Sequence, residues 1–319
     1  MNIYKNPFVA AILVLTTMLV ACGTKATPPP PTLTPTPPST PRPTATPALV
    51  IGSTWTRPAD RMVMMYVPEG EFTMGSDADE SLAECQKFSS GCYRGWFTDE
   101  EPIHTVYLDD FWIDQSEVTN AMYEICVQAD VCDPPQDTSS YTRSSYYGNA
   151  QYDDYPVIHV DWNMAKTYCE WAGARLPTEA EWEKAARGTD GRTYPWGDAF
   201  TGGLANFCDR NCTSDWADKD FDDGYPDAAP VGSYPDGVSP YGVFDMAGNV
   251  MEWVADWFDS NYYSSSPSSN PQGPSSGEYR VLRGGAWYYY EINVRTSYRY
   301  RLEPYNYDSG VGFRCSRSP

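Results

Sequence analysis

Basic residues are scarce in this chain: 22 Lys and Arg stand against 43 Asp and Glu in 319 residues, for a formal net charge of -21. Neutralising phosphates takes clustered Lys and Arg, and no basic patch is visible, so nucleic acid is excluded as a partner. The same balance suits a soluble protein outside the cell, or one that holds hard cations on carboxylates. Histidine is nearly absent, with only His104 and His159, in separate segments. Both sit beside apolar residues and read as structural histidines with satisfied hydrogen bonds. No cysteine pair has C-x-x-C spacing, which argues against a zinc site or a redox dithiol. No internal repeat is present. The apolar run from Phe8 to Val20 is too short to span a bilayer comfortably.

That run has the marks of a targeting segment. Lys5 precedes it and Leu19-Val20-Ala21-Cys22 ends it, which resembles the lipobox of bacterial lipoproteins. The resemblance implies a signal peptide over 1–21 and a lipid anchor on Cys22. Thr24 to Pro47 is almost wholly Thr, Pro, Ala and Ser. Such chain has too little apolar surface to offset the entropy of folding, and its prolines make it an extended spacer. Residues 22–59 therefore read as anchor and stalk, and 60–319 as one folded domain. This places the domain outside the cytoplasmic membrane, at the cell surface or in the periplasm, touching the membrane through the anchor only.

The chain has nine cysteines, and setting aside Cys22 leaves eight. An even number in an exported domain suggests disulfides, although spacing alone does not give connectivity. Cys85/Cys92, Cys126/Cys132 and Cys208/Cys212 could close local loops. Cys169 and Cys315 would then pair over a long span. Tyr (25) and Trp (11) are plentiful, and most are expected in a packed core.

Met62 to Val67, the Pro68-Glu69-Gly70 turn and Glu71 to Gly75 read as a hairpin. Ile103 to Ile113 alternates as a strand. A helix follows with Thr119 or Asn120 as N-cap and runs through Cys126. A second spans the run from Asp161 and ends at Gly173. Thr178 with Glu181 three residues on is a capping box opening a third, with Trp182, Ala185 and Ala186 as its inward stripe and Gly188 as its stop. Beyond it the chain is rich in turns, and a loop-rich region of this length needs staples: disulfides, bound ions or both.

Several motifs then fall in order: Glu117-Val118-Thr119-Asn120, Tyr155-Pro156-Val157, Gly173-Ala174-Arg175-Leu176-Pro177-Thr178-Glu179-Ala180-Glu181-Trp182-Glu183, Tyr194-Pro195-Trp196-Gly197, Asp245-Met246-Ala247-Gly248-Asn249-Val250-Met251-Glu252-Trp253, Arg283-Gly284-Gly285 and Gly312-Phe313-Arg314-Cys315. The set resembles the formylglycine-generating enzyme (sulfatase-modifying factor) family over nearly everything after residue 60. It implies a single C-type-lectin-like α+β domain with little regular secondary structure. It also implies a long-range disulfide at Cys169 and Cys315. Two structural calcium sites are implied as well. The first would use Asn206, the Phe207 carbonyl, Asp223 and the Tyr225 carbonyl. The second would use Glu252 with carbonyls near Ala247, Gly248 and Val250. Independently of the family, a hard cation wants several oxygens, often backbone ones, and these acid- and glycine-rich turns supply them.

The oxidase branch of that family carries a serine and two cysteines after its Arg-Gly-Gly, and the thiols bind copper(I). Here Ala286 stands for the serine, Tyr289 for the first cysteine and Val294 for the second, and no cysteine lies between Cys212 and Cys315. Catalytic residues are therefore expected to be absent, and no copper is expected. The iron-dependent sulfoxide synthases of the same superfamily need three histidines, and this chain has two. A branch acting on a siderophore chromophore precursor has residues that are not legible here. What remains is a surface: Tyr288, Tyr289, Tyr290, Tyr298, Tyr300, Arg301, Tyr305 and Tyr307. Tyr gives large contact area at low entropic cost and Arg adds forked hydrogen bonds, so this stretch reads as a face for an extracellular ligand or protein. Trp287 and at least one tyrosine are expected to be buried, and Arg295 and Arg299 could pair with acidic neighbours. The favoured reading is a tethered, non-catalytic binding module; the alternative is an oxidase of the family with an altered site.

Overall fold

The computed structural model describes residues 23, 26–29 and 48–319. The expected signal peptide, Cys22 and most of the expected stalk lie outside the described residues. Ala48–Pro319 forms one compact unit.

In chain order its elements are β1 (Thr54–Thr56), β2 (Val63–Val67), β3 (Gly70–Met74), α1 (Ala78–Cys85), β4 (His104–Leu108), β5 (Phe111–Asp114), α2 (Asn120–Gln128), α3 (Trp162–Trp171), α4 (Glu179–Arg187), β6 (Met251–Trp257), β7 (Arg280–Arg283), β8 (Arg299–Leu302), β9 (Val311–Phe313) and β10 (Ser316–Arg317). They form three small sheets, ordered β1-β2-β5-β10, β3-β4 and β8-β7-β6-β9. Neighbours are antiparallel except β6 and β9, which run parallel. Regular structure is sparse for the length, as the turn-rich composition implies, and the architecture is α+β.

Two strand readings need correction. The Pro68-Glu69-Gly70 turn does not make a hairpin: β2 pairs with β1 and β5, whereas β3 pairs with β4. The turn carries the chain from one sheet to another. Likewise Ile103 to Ile113 is two strands in two sheets, broken at Asp109-Asp110.

The helices follow their local signals. The Thr119 side chain accepts from Met122 N and caps α2. Asp161 caps α3, and Gly173 beyond its end takes φ +75°, a conformation that costs glycine little. Thr178 and Glu181 form the expected reciprocal box on α4, and Gly188 ends it at φ +73°. Yet α4 has no solvent face. Every residue from Glu179 to Arg187 is buried, so its charges need partners within the protein. Glu179 accepts from Arg283, Arg299 and Tyr263, and Glu183 from Arg187 and Arg283.

Indole N–H groups fasten the helices to β6. Trp162 donates to the Val254 carbonyl at 2.8 Å, and Trp182 to Glu252 Oε2 at 2.8 Å; Trp253 of β6 donates back to the Val160 carbonyl at 3.0 Å. All eight cysteines of the unit are in disulfides: Cys85–Cys92, Cys126–Cys132, Cys169–Cys315 and Cys208–Cys212. Cys169 on α3 thus joins the β9–β10 junction across 146 residues.

The histidines are less satisfied than the sequence suggests. His104 Nδ1 meets the Pro102 carbonyl, but its buried Nε2 has no partner, and neither has His159 Nδ1. Burial holds the His159 ring below the usual imidazole range, against the pull of Asp137 and Asp308.

Candidate functional site

The segment after β7 begins Gly284-Gly285, at φ +93° and +72°. A Cβ on Gly285 would fall 2.4 Å from the Asn293 carbonyl oxygen, so only glycine fits there. The turn sends Trp287 inward, its backbone N–H donating to the Asn249 carbonyl. Tyr288, Tyr289 and Tyr290 follow, half-buried. The Tyr289 carbonyl accepts from Cys208 N at 2.9 Å, which ties this wall to the Cys208–Cys212 loop.

Arg295 and Arg299 then leave the surface and hold the opposite wall. Arg295 makes a forked pair with Glu100 at 2.7 and 2.8 Å. Burial alone would raise the Glu100 carboxyl, but Arg295 wins and holds it below its ordinary value. Arg299 pairs with Glu179 and donates to the Asp99 carbonyl at 2.7 Å. These two buried arginines fix the loop that carries Trp96, Phe97 and Asp99.

Between the walls lies a cavity of about 750 Å³, lined by the three consecutive tyrosines, Tyr298, Tyr300, Trp96, Phe97 and Trp216, with Asp99, Asn293 and Arg301 among its polar groups. The size is that of a pocket for a small organic ligand. Ring centroids run 4.9 Å from Tyr288 to Tyr289, and 6.0 Å from Tyr289 to both Tyr298 and Tyr300. Trp216 lies 5.9 Å from Tyr290.

Six of the eight residues expected on the binding face line this cavity. Tyr305 and Tyr307 do not: they are exposed elsewhere, Tyr307 against the His159 ring. Trp287 and Tyr298 are buried, as are Arg295 and Arg299 with their acidic partners. Of the positions that stand for the serine and thiols, Ala286 and Val294 are fully buried, and Tyr289 alone faces the cavity. The sequence reading missed Trp96, Asp99 and Trp216. A usable signal was present, since Trp96 and Trp216 each stand four residues after the second cysteine of a short disulfide loop.

The segments carrying the first expected calcium set lie together, and they adjoin the turn of the second. Asn206 bridges to Gly248, and Asn249 N donates to the Asn206 carbonyl at 2.8 Å. In the first set, Asp223 accepts from Phe207 N at 3.1 Å and Tyr225 N at 2.9 Å. Burial, with Asp209 beside it, pushes the Asp223 carboxyl up to about 7. Asn206 Oδ1 is buried and has no donor. A buried oxygen without a partner beside a desolvated carboxyl fits a hard cation, so this set fits calcium. In the second set both Glu252 oxygens already accept, from the Arg314 fork and Trp182, so it offers no comparable orphan.

The model of the family described as "Sulfatase-modifying factor enzyme 1-like domain" matches residues 52–319. The chain is 35% identical over 306 residues to the formylglycine-generating enzyme of Streptomyces coelicolor, covering 82% of this chain and 90% of that protein. It belongs to the sulfatase-modifying factor family. Among solved structures, PvdO from Pseudomonas aeruginosa matches at 27% identity with TM-score 0.65, over 85% of this chain and all of that one. Treponema denticola variable protein 1 matches at 22% identity with TM-score 0.61, over 84% and 99%, which shows a shared fold. The sulfatase-modifying factor domain here thus keeps the family's framework, while tyrosines line the cavity and every cysteine of the described unit is held in a disulfide.

Proposed function

We propose that this domain is a non-catalytic ligand-binding module, tethered outside the cytoplasmic membrane by lipid on Cys22 and held off it by the Thr/Pro-rich stalk. The observation that carries the reading is the cavity wall. Where the resemblance puts a copper-binding thiol, Tyr289 faces the cavity among other aromatic rings. Copper(I) needs soft sulfur ligands, and disulfide sulfurs are not thiolates. An aromatic-lined cavity with a few polar groups is what small-molecule recognition uses. Calcium, held by Asn206, the Phe207 carbonyl, Asp223 and the Tyr225 carbonyl, would supply charge compensation to Asp223 and brace the loop leading to Trp216.

The test is mass spectrometry of a Cys-x-Pro-x-Arg peptide incubated with the purified domain, copper(I), calcium and oxygen. The expected result is an unmodified cysteine, beside a parallel reaction in which an active family member converts it. Aldehyde formation by this domain would overturn the reading. It would favour the alternative, an oxidase of the family with an altered site, which the 35% identity to the Streptomyces coelicolor enzyme supports.

A further inference from the structure

The charges around the cavity answer one another. Arg299 holds Glu179 with Nε and Nη2, and it is also the cation that acts on the Asp99 carboxylate. Burial pushes the Asp99 carboxyl up to about 6 against that pull. Arg301 lays its guanidinium over the Phe258 and Tyr279 rings, 4.8 and 5.8 Å from their centroids, and neither ring lines the cavity. A ligand with a net charge therefore meets no waiting counter-charge, and an anion is further repelled by a protein of net charge -21.

Polarity in the cavity comes instead from neutral groups. The Tyr289 hydroxyl pairs with that of Tyr300, with Tyr298 beside them. Burial holds the Tyr289 and Tyr298 phenols above their ordinary range, so they stay neutral donors. Among the described residues, none of the three hydroxyls reaches a carbonyl, a carboxylate or an amide, and the Asn293 side-chain amide and the Trp96 indole N–H have no hydrogen-bond partner. A ligand that drives water from these groups must hydrogen-bond them in its place, which a hydrocarbon cannot do.

The aromatic lining also continues beyond the cavity. Tyr290 lines two further hollows, of about 190 and about 520 Å³. Trp96 leads from the cavity into the first and Trp216 into the second, and Phe88 lines both. Trp96 is 57% exposed and Trp216 50%, so two large flat rings stand open to water where the hollows meet. The result is a groove that accepts a chain rather than a single ring. Each unit of that chain needs an uncharged, flat apolar face for the indoles and hydrogen-bonding groups on its rim. Sugar rings have both, a C–H face and a hydroxyl edge. A nucleic acid strand stacks as well, but it brings a phosphate with every unit. A peptide offers flat faces only at its aromatic residues.

Resting on the binding-module reading, we propose that the groove binds a neutral oligosaccharide, one sugar ring in the cavity among the Tyr289, Tyr298 and Tyr300 hydroxyls and the next carried past Tyr290 onto the Trp216 indole. The experiment is calorimetric titration of the purified, disulfide-intact domain, with tryptophan fluorescence as a second readout. The probes are cellotetraose, maltotetraose and N-acetylated chitotetraose as neutral chains, with glucose and N-acetylglucosamine as their single rings. The chitosan tetramer and tetragalacturonate serve as cationic and anionic chains of the same length, and indole as a flat ring without hydroxyls.

The expected result is saturable binding of at least one neutral chain, at least about tenfold tighter than its single ring and than either charged chain, a factor that corresponds to about 1.4 kcal/mol. Trp216→Ala, at a half-exposed position, is expected to remove the advantage of the chain over the single ring. Tyr298→Phe, which deletes only a hydroxyl, is expected to weaken chain and single ring alike, by about fivefold. Absence of saturable binding of all three neutral chains up to about 10 mM overturns the proposal. So does a charged chain that binds as tightly as the neutral ones, or neutral-chain binding that is unchanged in Trp216→Ala or in Tyr298→Phe. The two levels of inference separate cleanly. Indole binding that is lost in Tyr289→Ala, with no neutral chain bound, sinks the oligosaccharide and keeps the module, whereas aldehyde formation in the peptide assay sinks the module itself.

Discussion

Arg299 and Arg301 stand two residues apart on β8, each with its guanidinium 4.8 Å from the Phe258 ring centroid, yet they differ in their partners. Arg299 turns into the protein, where buried α4 presents Glu179. Arg301 is exposed, its guanidinium over the Phe258 and Tyr279 rings and in no ion pair among the described residues. The same contrast divides two regions. Around α4, charges are enclosed and paired, Glu179 and Glu183 sharing Arg187, Arg283 and Arg299, and the third guanidinium, Arg299, also acts on the Asp99 carboxylate. Around the cavity, rings dominate and the one nearby buried cation, Arg299, is already engaged with Glu179. A charged side chain is structural where its counter-charge is built in and available where it is not; residue type alone does not distinguish the two.

The contrast can be broken most forcefully at Arg283. Arg283→Met removes a fully buried guanidinium from between Glu179 and Glu183, and about 3–5 kcal/mol of stability is expected to go with it. Urea unfolding with the disulfides intact measures this, and an unchanged midpoint would erase the distinction between the regions. Calcium is expected to rank next. At about 100 times its dissociation constant a structural ion adds about 2.7 kcal/mol. EDTA should therefore lower Tm reversibly, and Asp223→Asn should abolish the response.

A pH series sharpens the enclosed side. Burial, with Glu179 close by, pushes the Asp256 carboxyl up to about 8. A carboxyl whose folded pKa is raised favours the folded state while protonated. That contribution is complete below about pH 4, the ordinary carboxylate range, and fades as pH climbs toward 8. Asp256→Asn, uncharged throughout, is expected to lose less stability than the unaltered protein between those limits. A steeper loss in the variant would contradict the assignment. Thr178→Ala removes one half of the α4 capping box and should cost about 1 kcal/mol in the same unfolding assay. At the cavity, Tyr300 is 38% exposed and packs near Tyr289, so Tyr300→Ala should cost about 0.5–1 kcal/mol in the same assay, far less than Arg283→Met.

Legibility in the sequence followed the range of the interactions. The capping box on α4, the cap at Thr119 and the glycine stop at 173 depend on residues within a turn of each other, and all are present as read. The disulfide pairs also match. Strand partners did not follow from local pattern. The apolar run Met62 to Val67 and the segment Glu71 to Gly75 mark two strands, but a tight turn between them does not oblige them to pair. On the site, the tyrosine run announced one wall. The other wall comes from residues near 96–99, nearly two hundred positions upstream, and is held by Arg295 and Arg299. The total burial of α4 was hidden as well, because its Glu, Lys and Arg residues look like a solvated face until their partners are known.

The segment from Val311 to Arg317 has a consequence for the order in which the domain assembles. Within seven residues it contributes β9 to one sheet, the Arg314 partner of Glu252, the Cys315 partner of Cys169 and β10 to another sheet. Neither four-stranded sheet is complete without it. A chain emerging N-terminus first would therefore hold its helices and earlier strands in an unfinished state until this segment arrives, and then close both sheets together.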